Sequence, residues 1–189
     1  LPRSFAALSS DSFRFVRELF FGAEARIAGE VEMRYKPLHD LAHVCLLVLV
    51  PGAAAWALGQ PLIFPSLGPS AFALVRDENE NRPRRVIGGH LTGVVCGLIA
   101  YHALAHGLSL AALVPALSAN GLRIVASGVI SIGLTTTIMW AARASHAPAC
   151  ATTLIVSLGV LPGFMDGALM MAAVTGMFLI HRLVMLARK

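Results

Sequence analysis

The side chains best able to do chemistry in this sequence gather at two places where a hydrophobic run is broken. In SHAPACATTLIVSLG, residues 145–159, His146 stands two positions before Pro148, and Ala149, Thr152 and Thr153 follow at once. In PLIFPSLGPSAFALV, residues 61–75, Ser66, Gly68 and Ser70 surround Pro69. Imidazole titrates near neutrality, so His146 suits a donor to a bound anion or a proton carrier. The plainer alternative is an interfacial histidine bonded to a carbonyl. His90, in RVIGGHLTG, lies inside another apolar run; an ionisable residue there is a functional candidate, weighed against a simple bond across helices.

Other residues read as structural. His43, His102, His106 and His181 lie near the ends of apolar runs. Gly89, Gly93 and Gly97 form a GxxxGxxxG stripe that lets helices approach closely. Thr135, Thr136 and Thr137 fit bonds within their own helix, with pore lining as the alternative. Asp166 reads as a cap or an interfacial charge. Arg123 either attracts anions or snorkels. The 3 cysteines are far apart in apolar segments, which predicts packing and no metal site or disulfide framework. No GxSxG, HExxH or phosphate loop is present; Ser127 in VASG reads as packing. Neither an enzyme nor a cofactor is expected.

These residues need elements to carry them. The chain is 57% apolar and 13% charged, with a mean hydropathy of +0.74, whereas about a quarter of a soluble domain is charged. A polytopic membrane protein in a lipid bilayer is the reading. The pI of about 9.7 does not point to nucleic acid, because the basic residues fall between hydrophobic runs rather than on one soluble face. Apolar runs cover 41–59, 62–75, 86–106, 122–142, 147–161 and 168–186. Four approach the ~20 residues that cross ~30 Å of hydrocarbon. The second and fifth, of about 15 residues, would reach only ~22 Å as helices.

Six spans with a cytoplasmic N-terminus place all but Arg123 of the 15 Lys and Arg residues inside, as the positive-inside rule demands. Four spans with two re-entrant segments would strand the arginines of RDENENRPRR, residues 76–85, outside. Both termini are therefore expected in the cytoplasm, with the protein in the cell (inner) membrane. Residues 1–40 stand apart: DSFRFVRELFFG from Asp11 has apolar and basic faces that suit an interfacial helix or a cytosolic one packed on another subunit. The chain begins at Leu1 rather than Met, which suggests a processed product, and nothing near its start has the order of a signal peptide.

The two short runs are each the middle of three. At the separation of Pro69 from Pro148, Ser66 meets Ser145, Pro83 meets Pro162, Gly88 meets Gly167, Val95 meets Val174, Gly97 meets Gly176 and His102 meets His181. Three spans per half would turn the second repeat (120–187) upside down relative to the first (41–106). Inverted repeats with interrupted helices in matching positions point to a secondary transporter's binding site. If residues 61–68 and 143–147 run extended to helices starting at Pro69 and Pro148, two helix N-termini meet near the midplane. Their free N–H groups and partial positive charge favour a small anion.

The stretches SLGPSAFALV (66–75), RPRRVIGGHLTG (82–93) and SHAPACATTLIVSLG (145–159) resemble the HPP family of integral membrane proteins, over about residues 37–187. The family's His-Pro-Pro motif here reads His146-Ala147-Pro148, and Cys150 replaces an expected glycine. The family is usually described with four transmembrane helices, which two short segments missed by hydropathy would reconcile with six. The resemblance implies a small inorganic anion, because members are associated with nitrite transport.

The combined expectation is an all-α polytopic membrane protein with residues 41–189 as its transmembrane domain. It would move nitrite or a similar monovalent anion by alternating access. Ser66, Gly68, Pro69 and Ser70 would form one half of the site and His146, Pro148, Ala149 and Thr152 the other, with His90 nearby. Small-residue stripes fit a homo-oligomer. The alternatives are an anion channel, or a non-transporting membrane module acting through residues 1–36.

Overall fold

The computed structural model describes residues 37–59 and 65–188. The amphipathic stretch from Asp11 and the entry at 61–64 lie outside the described residues. The chain divides into two units, Leu1–Leu38 and His39–Lys189. The account below concerns the second, with helix α1 starting at its border.

Among the described residues there are six α-helices and no strand. They are α1 (Pro37–Ala57), α2 (Leu67–Arg76), α3 (Pro83–Ala100), α4 (Ala119–Ala141), α5 (Ala149–Ser157) and α6 (Phe164–Ala187). A 3-10 turn, Glu78–Glu80, joins α2 to α3, and a π turn, Tyr101–Ala105, extends α3. Four helices are long and apolar enough to cross a membrane: His39–Ala57, Pro83–Ala105, Ala119–Ala141 and Phe164–Ala187. Helices α2 and α5 have 10 and 9 residues, or roughly 15 Å of rise each, so neither crosses alone. The order long, short, long thus recurs in both halves.

The helix starts differ slightly from the expected ones. Helix α2 begins at Leu67 rather than Pro69, so Pro69 occupies its third position. The first-turn N–H groups of a helix have no internal partner, so the proline removes none of its bonds. Helix α5 begins at Ala149, with Pro148 preceding it in helical conformation (φ −58°, ψ −23°).

Helix α3 is the axis, packed against α4, α5 and α6. Its glycine stripe is what lets α5 come so close. A Cβ on Gly89 would lie 2.9 Å from His146 Cβ, one on Gly93 2.8 Å from the Ala149 carbonyl oxygen, and one on Gly97 2.8 Å from Val156 Cβ. Packing is therefore the role of these glycines. An apolar core including Leu47, Leu67, Leu74, Val86, Met170 and Met177 joins α1, α2, α3 and α6. Large apolar side chains such as Leu49, Trp56, Val129, Trp140, Leu179 and Leu183 point outward, as helices that meet acyl chains require.

Several residues read as structural have specific structural roles. Asp166 Oδ2 accepts from the Gly163 N–H at 3.0 Å and caps α6. The Arg123 Nε–H donates to the Leu104 carbonyl at 2.8 Å, joining α4 to the π turn. Ser127 donates to the Ser157 carbonyl at 2.8 Å. Thr135 bonds Thr153 across α4 and α5 at 3.0 Å, while Thr137 donates within its own helix to the Gly133 carbonyl. The cysteines are free, with Cys96 buried, Cys150 half-buried and Cys45 exposed.

Helix α5 ends on Gly159 at φ +71°, and a Cβ there would stand 2.1 Å from the Leu108 carbonyl oxygen. The Leu110 N–H donates to the Leu158 carbonyl at 2.9 Å, holding this loop against the helix end. Gly159→Ala meets both left-handed strain and a backbone clash, and is expected to cost at least ~2 kcal/mol. The check is the thermal midpoint of the detergent-solubilised protein, which should fall by several degrees.

Candidate functional site

The two short helices present their first turns to one side chain. Ser70 lies in the first turn of α2 and Thr152 in that of α5; both are buried. His90, on α3 one turn past Pro83-Arg84-Arg85, stands between them and is buried. Its Nε2 lies 2.8 Å from Ser70 Oγ and its Nδ1 2.7 Å from Thr152 Oγ1. The glycines at 89 and 93 flank it and admit α5 on the same side. One imidazole thus links two helix starts whose residues are 82 positions apart in sequence (Ser70, Thr152).

His146 extends the cluster. It precedes α5 and is 1% exposed, with its ring centroid 5.1 Å from that of His90. Its Nε2 lies 3.3 Å from Ser70 Oγ, and its Nδ1 2.5 Å from Glu80 Oε2. Arg85 Nη1 reaches the other Glu80 oxygen at 3.5 Å. Ser70 also donates to the Ser66 carbonyl at 3.0 Å, the bond expected between i and i+4 in a helix start. The resulting line runs Glu80, His146, Ser70, His90, Thr152, with each member bonded to the next.

Of the residues singled out from the sequence, Ser66, Ser70, His90, His146 and Thr152 meet here. Ala149 is buried behind them, its Cβ 3.5 Å from the position of a Cβ on Gly89. Pro69 is exposed, Gly68 faces open space, and Pro148 is half-buried; these three shape the helix starts and are not in the bonded line. Glu80 is not among the residues that the sequence singles out. Within RDENENRPRR its charge looks like one more solvated loop charge, and only its position three residues before the helix-opening Pro83 distinguishes it.

A second histidine pair lies on α1 and α6. The His43 and His181 rings are stacked, centroids 5.0 Å apart and planes within 6°. His181 Nε2–H donates to Asn81 Oδ1. His43 Nε2 and His181 Nδ1 have no hydrogen-bond partner among the described residues. At the other end of α3, His102 stacks on Phe164 and packs against Tyr101. Neither group joins the His90 line. Among the described residues no group of three or more metal-ligating side chains comes together.

The arrangement gathers imidazole and hydroxyl groups and one carboxylate at the first turns of two helices, all closed from solvent except at Glu80. The first N–H groups of α5, those of Ala149, Cys150 and Ala151, are taken by the His146, Ala147 and Pro148 carbonyls. A bonded line of imidazoles, hydroxyls and a carboxylate can store or pass a proton. A family model described as HPP, transmembrane region, matches residues 32–187. No curated protein and no solved structure matches the chain.

Proposed function

Because the chain belongs to the HPP transmembrane-region family of membrane proteins, we propose that it carries a small monovalent inorganic anion, nitrite first among them, across the bilayer. The observation that supports this reading is His90 bonded at once to the first turns of α2 and α5. Buried polar groups among apolar helices are costly unless paired, and a pair of short helices brought together at their N-terminal turns is the arrangement that receives an anion.

In this reading α2 and α5 are the interrupted elements of two inverted three-helix repeats, and the site lies near the membrane midplane. The long helices on either side rock to open it to one face and then the other. Ser66, Ser70, His90, His146, Ala149 and Thr152 line it, while Gly68, Pro69 and Pro148 set the two helix starts. The termini face the cytoplasm and the protein resides in the cell membrane as a homo-oligomer.

The test is nitrite uptake by liposomes holding the purified full chain. Saturable uptake with counterflow is expected, because a carrier returns loaded. Linear, non-saturating flux would favour a channel, and no flux with nitrite, nitrate, bicarbonate or chloride would remove the transport reading.

A further inference from the structure

The bonded line accommodates two proton counts, which differ in where the Ser70 hydroxyl donates. A hydroxyl has one proton to give and two lone pairs to fill. Ser70 Oγ meets three partners: the Ser66 carbonyl oxygen at 3.0 Å, His90 Nε2 at 2.8 Å and His146 Nε2 at 3.3 Å. A carbonyl oxygen only accepts, so while the Ser70 proton is on Ser66 both imidazole nitrogens face Ser70 as donors.

For His90 this needs nothing unusual. A neutral ring protonated on Nε2 accepts at Nδ1 from the Thr152 hydroxyl, 2.7 Å away. His146 is different. Its Nδ1 and Glu80 Oε2 are 2.5 Å apart, and two such atoms approach this closely only with a proton between them. With Nε2 protonated as well, His146 and Glu80 together hold two protons. That is one more than a neutral imidazole beside an ionised carboxylate.

Without the extra proton the contacts cannot all be kept. His146 Nε2 becomes a bare acceptor facing Ser70. Ser70 must then turn its single proton from Ser66 to His146, or set lone pair against lone pair. The pair's charge is minus one without the proton and zero with it. Among the described residues the other charged or titratable groups bearing on it are Arg85, on Glu80 Oε1, and His90, beside the His146 ring; α2 and α5 contribute the hydroxyls of Ser70 and Thr152.

From these contacts we infer that Glu80 and His146 form the coupling-proton site of the transporter. The inference rests on the anion-transport reading above and adds a second cargo to it. A hydronium ion gives one proton to the pair and leaves as water. Glu80 is the entry, since its side chain keeps 13% exposure while that of His146 has none. Neutralising the pair removes a like charge from the neighbourhood of the anion, so the anion binds after the proton. Both leave on the other side, and the pair returns to minus one. One proton moves with each anion, and no net charge crosses.

The test uses the full chain in lightly buffered liposomes, with nitrite as the probe and protein-free vesicles subtracted for flux of the undissociated acid. Nitrite counterflow at equal pH on both sides is measured first; if wild type shows none, the transport reading and this inference fall together. With counterflow present, added nitrite should bring in one proton per anion. An acid-outside gradient of one unit should also raise accumulation ~10-fold. Counterflow with no proton uptake overturns the inference and leaves transport standing. Glu80→Gln should abolish gradient-driven accumulation and Glu80→Asp should restore part of it; Glu80→Gln accumulating like wild type overturns the assignment to this pair. Should Glu80→Gln fail to fold, the wild-type proton count decides the inference without it.

Discussion

His146→Ala is expected to lower saturable nitrite uptake about 100-fold. The imidazole bonds Glu80 through one nitrogen and Ser70 through the other. Hydrogen bonds to charged groups contribute roughly 1.5–3 kcal/mol each, and about 1.4 kcal/mol is a factor of ten. Removing the ring takes away one such bond, to Glu80, and a weaker one at 3.3 Å, to Ser70. It also leaves the Glu80 carboxylate facing the cluster with only Arg85, at 3.5 Å, to balance it. That unbalanced charge repels an anion. Initial rates over a range of nitrite concentrations, normalised to inserted protein, measure the loss. Uptake like that of wild type would place the substrate away from the His146–His90 cluster.

Gly93→Val is expected to destabilise the protein by about 3 kcal/mol or more, the upper part of the range for overpacking a closed core. A Cβ on Gly93 would lie 2.8 Å from the Ala149 carbonyl oxygen and 2.8 Å from Thr153 Oγ1. The carbonyl is backbone in the first turn of α5 and cannot swing aside, so α3 and α5 must separate. Separation stretches the 2.7 Å bond from His90 to Thr152, so transport should fall together with stability. A contrasting change is Gly133→Ala on α4, where a Cβ meets nothing within 4 Å. Thermal midpoints of the two variants in detergent should differ by several degrees, with Gly133→Ala close to wild type. Equal midpoints would mean that the α3–α5 contact does not limit stability.

The two predictions probe different things. The first removes chemistry and leaves the helix packing in place; the second keeps every polar group and moves one helix. A site built on the contact between α3 and α5 should be sensitive to both.

Much of this protein follows from local features of the chain. Runs of apolar residues near 20 long can only be membrane-crossing helices, because hydrocarbon satisfies no backbone hydrogen bond. Pro69 and Pro148 mark the starts of α2 and α5 to within two residues, since proline fits a first turn and little else in a helix. The stripe of Gly89, Gly93 and Gly97 announces a close helix contact, and the short runs at 62–75 and 147–161 announce helices too short to cross. His90 and His146 stand out because ionisable groups in such surroundings need partners.

Which partners they find was a matter of tertiary structure. In RDENENRPRR only the distance to Pro83 separates Glu80 from Glu78 or Asp77, and that distance names no partner; the turn between α2 and α3 aims Glu80 at His146, 66 residues on. Nothing in the sequence says that the glycine stripe faces α5 rather than another copy of the chain, or that Arg123 is bound to the Leu104 carbonyl. The physical reason is the same in each case. Local sequence fixes backbone conformation and burial over a turn or two, whereas a hydrogen bond between distant residues exists only when several helices have packed and their short-range geometry closes at once.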